Sequence, residues 1–218
     1  MSSAVIRGAA LALLALGTLA CRPEITLPAP VVASSIRIAV MPFRVNGDLD
    51  QGGTFRAGGD PGTMDDLLGE QIGQRLITEL AALDVSVVPI GDVLRATPPP
   101  GAAIYDVDLA ARVGAAVSAD YIVLGAIGRY REREGSSLGV ESPASVAYRC
   151  VLVDVGRRSH AGSYDLDYTQ QPLAEDLTQL PQWLQGRIGW LTRDEILESA
   201  LSRTARQIAR TVENATTR

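Results

Sequence analysis

The chain has 218 residues, 46% of them hydrophobic and 21% charged, which is enough for one well-packed core and short for two. Its formal net charge of -5 runs against nucleic-acid binding, which needs clustered cations to meet phosphate. All 20 basic residues are arginine and His160 is the one histidine, which removes phosphate-loop and Schiff-base lysines and most imidazole chemistry, so no cofactor and no metal are expected.

Arg7 precedes an unbroken run of apolar and small residues, Gly8 to Ala20, that stops at Cys21. The run is too short to span a bilayer and reads as a signal peptide over residues 1–20. Gly17-Thr18-Leu19-Ala20-Cys21 resembles a bacterial lipobox, although Thr18 stands where leucine is usual. That resemblance makes Cys21 the lipidated first residue of the mature chain and the bilayer its partner. The alternative is an ordinary secretory signal with an incidental cysteine. Cys21 is followed by Arg22 and not by aspartate, which implies the periplasmic face of the outer membrane. Residues 21–34, with Pro23, Pro28 and Pro30, form an extended tether. A single domain is expected over 35–213, and 214–218 is expected to be a disordered tail.

Ile36 to Phe43 is apolar at nearly every position after Arg37, the pattern of a strand covered on both faces. Val45 to Gly62 carries several glycines and no periodicity, so it reads as a loop and a candidate contact surface. Thr63 caps a helix in which Leu68, Ile72, Leu76 and Leu80 recur at helical spacing, with Ile77 and Leu83 widening the stripe. Val85 to Ile90 is the next strand, Gly91 to Arg95 a short helical turn, and Asp106 or Asp108 caps a helix to about Ser118. Tyr121 to Ile127, Ala144 to Val155 and His160 to Tyr168 then read as an antiparallel meander with a polar excursion, Arg129 to Pro143, inside it. Thr192-Arg193-Asp194-Glu195 is a capping-box pattern opening a terminal helix. The fold class is therefore α/β (α+β), a mixed sheet with helices packed on it.

Several residues carry two readings. Arg129, Arg131 and Arg133 on one side of an extended strand, opposite Glu132 and Glu134, form a docking edge for an anionic or protein partner, or else a solvated strand exit. Trp183 and Trp190 are interface anchors, or fold back onto the sheet. Asp165 and Asp167 share one strand face at a spacing a hydrolase could use; a solvated face with alternating acids is the simpler reading. Cys150 is a buried thiol, or a nucleophile with His160 as its base. Gly125 and Gly128 serve close packing or mark a bulge.

IAVMPF at Ile38-Phe43, VSVV at Val85-Val88 and ADYIVLGAIGRY at Ala119-Tyr130 are similar to envelope lipoproteins of the TolB amino-terminal-like and CsgG-like superfamily. That superfamily includes curli-secretion channels and lipoprotein activators of peptidoglycan synthases. ESPASVAYRCVLVDV (Glu141-Val155), DYTQQPL (Asp167-Leu173) and GWLTRDEI (Gly189-Ile196) resemble an uncharacterised lipoprotein family of deltaproteobacteria and relatives within it. Family members carry a lysine-threonine-glycine turn and a following tryptophan where this chain has Gly156-Arg157-Arg158 and Gly162. The segments that would become membrane hairpins are too short or too charged for a pore. The resemblance implies a non-enzymatic, outer-membrane-anchored binding or scaffolding module for cell-wall or secretion machinery, with an unidentified envelope or peptidoglycan-associated protein as partner. The alternatives are a homo-oligomeric secretion subunit and, further off, a hydrolase using Asp165/Asp167.

Overall fold

The computed structural model describes residues 36–45, 47–49, 53–57, 64–99, 103–135, 140–170 and 191–216, all within the compact unit Ser34–Arg218. Cys21, the tether, the cap Thr63, Trp183 and Trp190 lie outside the described residues.

The fold is mixed α/β. Strands β1 (Arg37–Val40), β5 (Ser86–Val87), β6 (Tyr121–Arg131), β9 (Ser145–Asp154) and β10 (Ser159–Thr169) form a sheet in the order β10-β9-β6-β1-β5. β5, β1 and β6 are parallel, whereas β6, β9 and β10 are the antiparallel meander read from the sequence. Helices α1 (Met64–Ala81) and α4 (Arg193–Thr216) cover one face. Helices α2 (Ile90–Ala96) and α3 (Val107–Ala116) pack on the other, against β1, β6 and β9. Two buried clusters result. One holds Ile38, Val40, Phe43, Leu76 and Leu80 with Val123, Cys150, Leu152 and Leu201; the other holds Ala39, Met41, Val93, Leu109, Val113, Leu124 and Val151. Neighbouring residues alternate between the clusters because successive side chains on a strand point to opposite faces.

Local chemistry explains the helix boundaries. Asp106 accepts a hydrogen bond from Leu109 N at 2.8 Å and caps α3. At α4, Thr192 Oγ1 accepts from Glu195 N at 3.2 Å while Glu195 Oε2 accepts from Thr192 N at 2.8 Å, which is the reciprocal capping box the sequence predicts. Helix α4 continues to Thr216, taking in 214–216 of the expected tail. Leu83, placed on the buried stripe by periodicity, is 40% exposed because α1 ends at Ala81 before its face turns back to the sheet.

The first strand departs most from expectation. Ile36 to Phe43 does not run through. β1 stops at Val40, and β2 (Arg44–Val45) resumes parallel to β6, with Arg44 beside Ala126. Between them Met41 N still donates to Val123 O at 2.9 Å, Pro42 has no N–H to give, and Phe43 N turns away to donate to Gly69 O in α1 at 3.0 Å. The Gly/Asp-rich segment after it contains a small hairpin, β3 (Gly47–Leu49) with β4 (Phe55–Ala57). Strand β6 also runs beyond Ile127 to Arg131, through a bulge between Ile127 and Arg129 at Gly128. Part of the polar excursion forms a second small hairpin, β7 (Glu134–Gly135) with β8 (Val140–Ser142).

The contact of Phe43 N with Gly69 requires glycine, since a Cβ at 69 would stand 1.9 Å from Phe43 O. Gly69→Ala should therefore destabilise the fold by about 2 kcal/mol or more in a urea titration, overriding the gain of up to ~1 kcal/mol that alanine brings to a helix. Gly91→Ala in α2, where a Cβ meets nothing nearer than Arg95 Nη1 at 4.0 Å, should be neutral or stabilising.

Candidate functional site

Two surface regions carry unspent chemistry. The first is the face of β6, β9 and β10 opposite α1 and α4, where cross-strand register sets Arg129 beside Ala147 and Ala147 beside Asp167. Arg129 Nη2 reaches across the small Ala147 to hydrogen-bond Asp167 Oδ1, and donates to Thr169 Oγ1 at 3.3 Å. One row along, Arg149 Nε donates to Asp165 Oδ1 at 2.6 Å. The side chains of Asp165 and Asp167 are 55% and 77% exposed. A shallow depression of about 350 Å³ lies over this ladder.

The expected arginine row is therefore divided. Arg129 and Arg131 alternate with Tyr130 at the end of β6 and share the open face, but the strand ends at Arg131 and leaves Arg133 beyond it. Arg129 is engaged by Asp167, whereas Arg131 is exposed. Glu132, expected simply on the opposite side, points its carboxylate at Arg193 of α4, 3.7 Å away.

Behind this strand end a second cluster locks three elements together. Asp194 Oδ1 accepts from Arg75 Nη1 of α1 and from Tyr130 Oη of β6, each at 2.7 Å, while the Arg193 guanidinium lies 4.4 Å from the Tyr130 ring centroid. Burial and the bond to Asp194 push the Tyr130 hydroxyl up to about 12. The Tyr130 and Arg75 hydrogen bonds hold the Asp194 carboxyl below its ordinary value.

The second surface region is a crevice of about 440 Å³ where the first strand breaks. Pro42, Phe43, Arg44, Leu67, Pro99 and Tyr105 are among its lining. Tyr105 Oη donates to Pro42 O at 2.6 Å, and Arg44 Cζ lies 4.9 Å from the Tyr105 ring centroid. Burial raises the Tyr105 hydroxyl far above its ordinary value. The crevice lies past the carboxyl end of β1, where open α/β sheets take ligands, and the sequence reading missed it by running one strand from Ile36 through Phe43.

The two catalytic alternatives meet specific obstacles. Cys150 is fully buried in the cluster under α4, its thiol driven well up by burial, and it faces the Gly125 row of β6. Asp165 and Asp167 are tied to arginines on an open face. Gly125 gives room to a ring and not to a helix, since a Cβ there would come within 2.7 Å of Phe43. Among the described residues no group of three metal-ligating side chains converges, and no helix is long and apolar enough to cross a membrane.

No protein-family model matches this chain, and no curated protein matches it significantly. Among solved structures, it is similar to a PelC dodecamer from Paraburkholderia phytofirmans, with 16% identity over 80% of this chain and 87% of that one at a TM-score of 0.43. Lipoprotein GNA1162 from Neisseria meningitidis matches at 11% identity, over 69% and 97%, at 0.41. Protein XCC0632 from Xanthomonas campestris, assigned to DUF330, matches at 10% identity, over 88% and 94%, at 0.43. These neighbours correct the resemblance to TolB amino-terminal-like and CsgG-like proteins. The physical reason is that IAVMPF and ADYIVLGAIGRY are what any buried strand pair of such a layer looks like, and they do not distinguish one α/β family from another.

Asp194 makes a pH-dependent contribution that can be read directly. Because its carboxyl is held low in the folded state, its stabilisation is complete above the ordinary carboxylate range and is lost as the pH falls through the lowered value. Asp194→Asn should thus lower the thermal midpoint at pH 7, and the gap from the parent chain should close as the pH is taken below 4, a pH within the ordinary carboxylate range.

Proposed function

We propose that the chain is a lipid-anchored envelope protein that acts by binding another envelope or peptidoglycan-associated protein, and not by catalysis. The anchor reading rests on the sequence alone, on the apolar run ending in Ala20-Cys21 and on Arg22 after it, which directs it to the periplasmic face of the outer membrane. The observation that carries the binding reading is the open face of β6, β9 and β10. Exposed carboxylates held by arginines of neighbouring strands stand there on the sheet, with Arg131 exposed beside them. A paired surface of this kind can recognise a protein by register and complementarity.

The anchor is tested by Cys21→Ala, which should abolish incorporation of labelled palmitate and release the chain from the membrane fraction; unchanged fractionation overturns it. The binding role is tested by crosslinking in intact envelopes. Charge reversal at Arg129 and Arg131 should remove a crosslinked partner while Arg133→Glu, beyond the strand, should have the smaller effect. If charge reversal at Arg129 and Arg131 leaves every crosslink in place, this face is not the contact.

A further inference from the structure

Strand β10 is the edge of the sheet and its longest exposed margin, 11 residues from Ser159 to Thr169. Alternate residues of such a strand turn their N–H and C=O groups away from the neighbouring strand. Among the described residues no strand pairs with that outer side. Soluble proteins blunt long edges with short length, proline, bulges or charged side chains; β10 is long and has no proline, its one irregularity, between His160 and Gly162, lies at its start, and its charges, Asp165 and Asp167, are drawn inward to arginines of β9 and β6. The run from Ser163 to Thr169 is regular.

From this edge we infer a strand-addition site whose partner is an extended segment of another polypeptide, apolar on one face and basic on the other. The chemistry of β10 selects that occupant. Tyr164, Leu166 and Tyr168 face α4 and are half-buried, with Tyr164 Oη hydrogen-bonded to Thr211 Oγ1 at 2.8 Å, so an added strand must bring apolar side chains to continue that layer. Ser163, Asp165, Asp167 and Thr169 face the other way and are exposed, so the charges nearest an added strand are both negative. The arginines that pair with them stand one and two strands inward, on β9 and β6. Arginine or lysine on the added strand opposite Asp165 and Asp167 would complete each carboxylate from its open side.

The same charges disfavour a second copy of this chain. The two-fold pairing that aligns all three apolar residues, Tyr164, Leu166 and Tyr168, passes through Leu166. It brings Tyr164 opposite the copy's Tyr168, and it also sets Asp165 directly opposite the copy's Asp167, a like-charge pair at each side of the axis. Self-pairing therefore sacrifices either the apolar register or the electrostatics.

This inference deepens the binding reading and rests on it, but not on the anchor. The full chain in detergent micelles would be titrated with a synthetic peptide of the length of β10 that alternates valine with arginine, and with its counterpart carrying glutamate for arginine. The arginine peptide should bind, slow hydrogen exchange along β10, and bind about fivefold or more weaker to Asp165→Asn/Asp167→Asn, with Asp165→Glu/Asp167→Glu restoring affinity. Equal binding of the two peptides, no protection in β10, or a dimer whose protection maps to β10 would each overturn the proposal. Loss of the peptide with the envelope crosslink retained would refute the edge and leave the binding module standing.

Discussion

The break at Met41-Pro42-Phe43 is the constraint on which the rest of the fold depends. A proline inside a central strand removes a ladder hydrogen bond and should weaken the sheet at its middle. Here the loss is absorbed locally. Phe43 N is satisfied by the Gly69 carbonyl of α1, Pro42 O by the Tyr105 hydroxyl, and the strand resumes as β2 beside the same neighbour. Each donor and acceptor at the break thereby ties a different element to the sheet. Helix α1 is drawn so close that only glycine fits at 69, and the segment ahead of α3 is drawn in by Tyr105 from the other face.

The break also decides where the large side chains go. With the backbone turned at Pro42, Met41 enters the cluster under α2 and α3, and Phe43 enters the cluster under α1 and α4, where its ring lies over Gly125 and meets Tyr148 edge-on at 6.3 Å. One three-residue segment thus contributes to both hydrophobic layers. The crevice beside it is a by-product of the same geometry, because a strand that stops and restarts leaves its neighbours unable to close over the gap.

Much of this architecture was legible in the sequence, for identifiable reasons. The helix caps at Asp106 and Thr192 are local chemistry, complete within four residues. The alternation of Val146, Tyr148, Cys150 and Leu152 with Ala147, Arg149 and Val151 fixes both faces of β9 without tertiary information. What failed depended on partners distant in sequence. Val45 to Gly62 looks structureless because the β3–β4 hairpin is too short for periodicity to register. Strand β6 reads as ending at Ile127 because charge follows, yet it continues to Arg131 in register with β9, and Arg129 finds Asp167, 38 residues on. The acids themselves looked like a free pair for the same reason: nothing local reveals that arginines from two other strands lie within reach.

The ion pairs on the open face bear on how such a surface could work. Exposed pairs of this kind add little to stability, since solvent screens them and long side chains must be held still. Their worth lies in exclusion. An unpaired Asp165 or Asp167 would leave β10 with bare negative charge repelling acidic surfaces, whereas two exposed apolar residues in their place would invite indiscriminate strand pairing. Arginines held one strand back neutralise the field without occupying the edge. Backbone groups along β10 then supply affinity to any extended segment, and the half-satisfied carboxylates decide which segment fits, a division between strength and selectivity that a sheet edge can make and a helical surface of the same charge cannot.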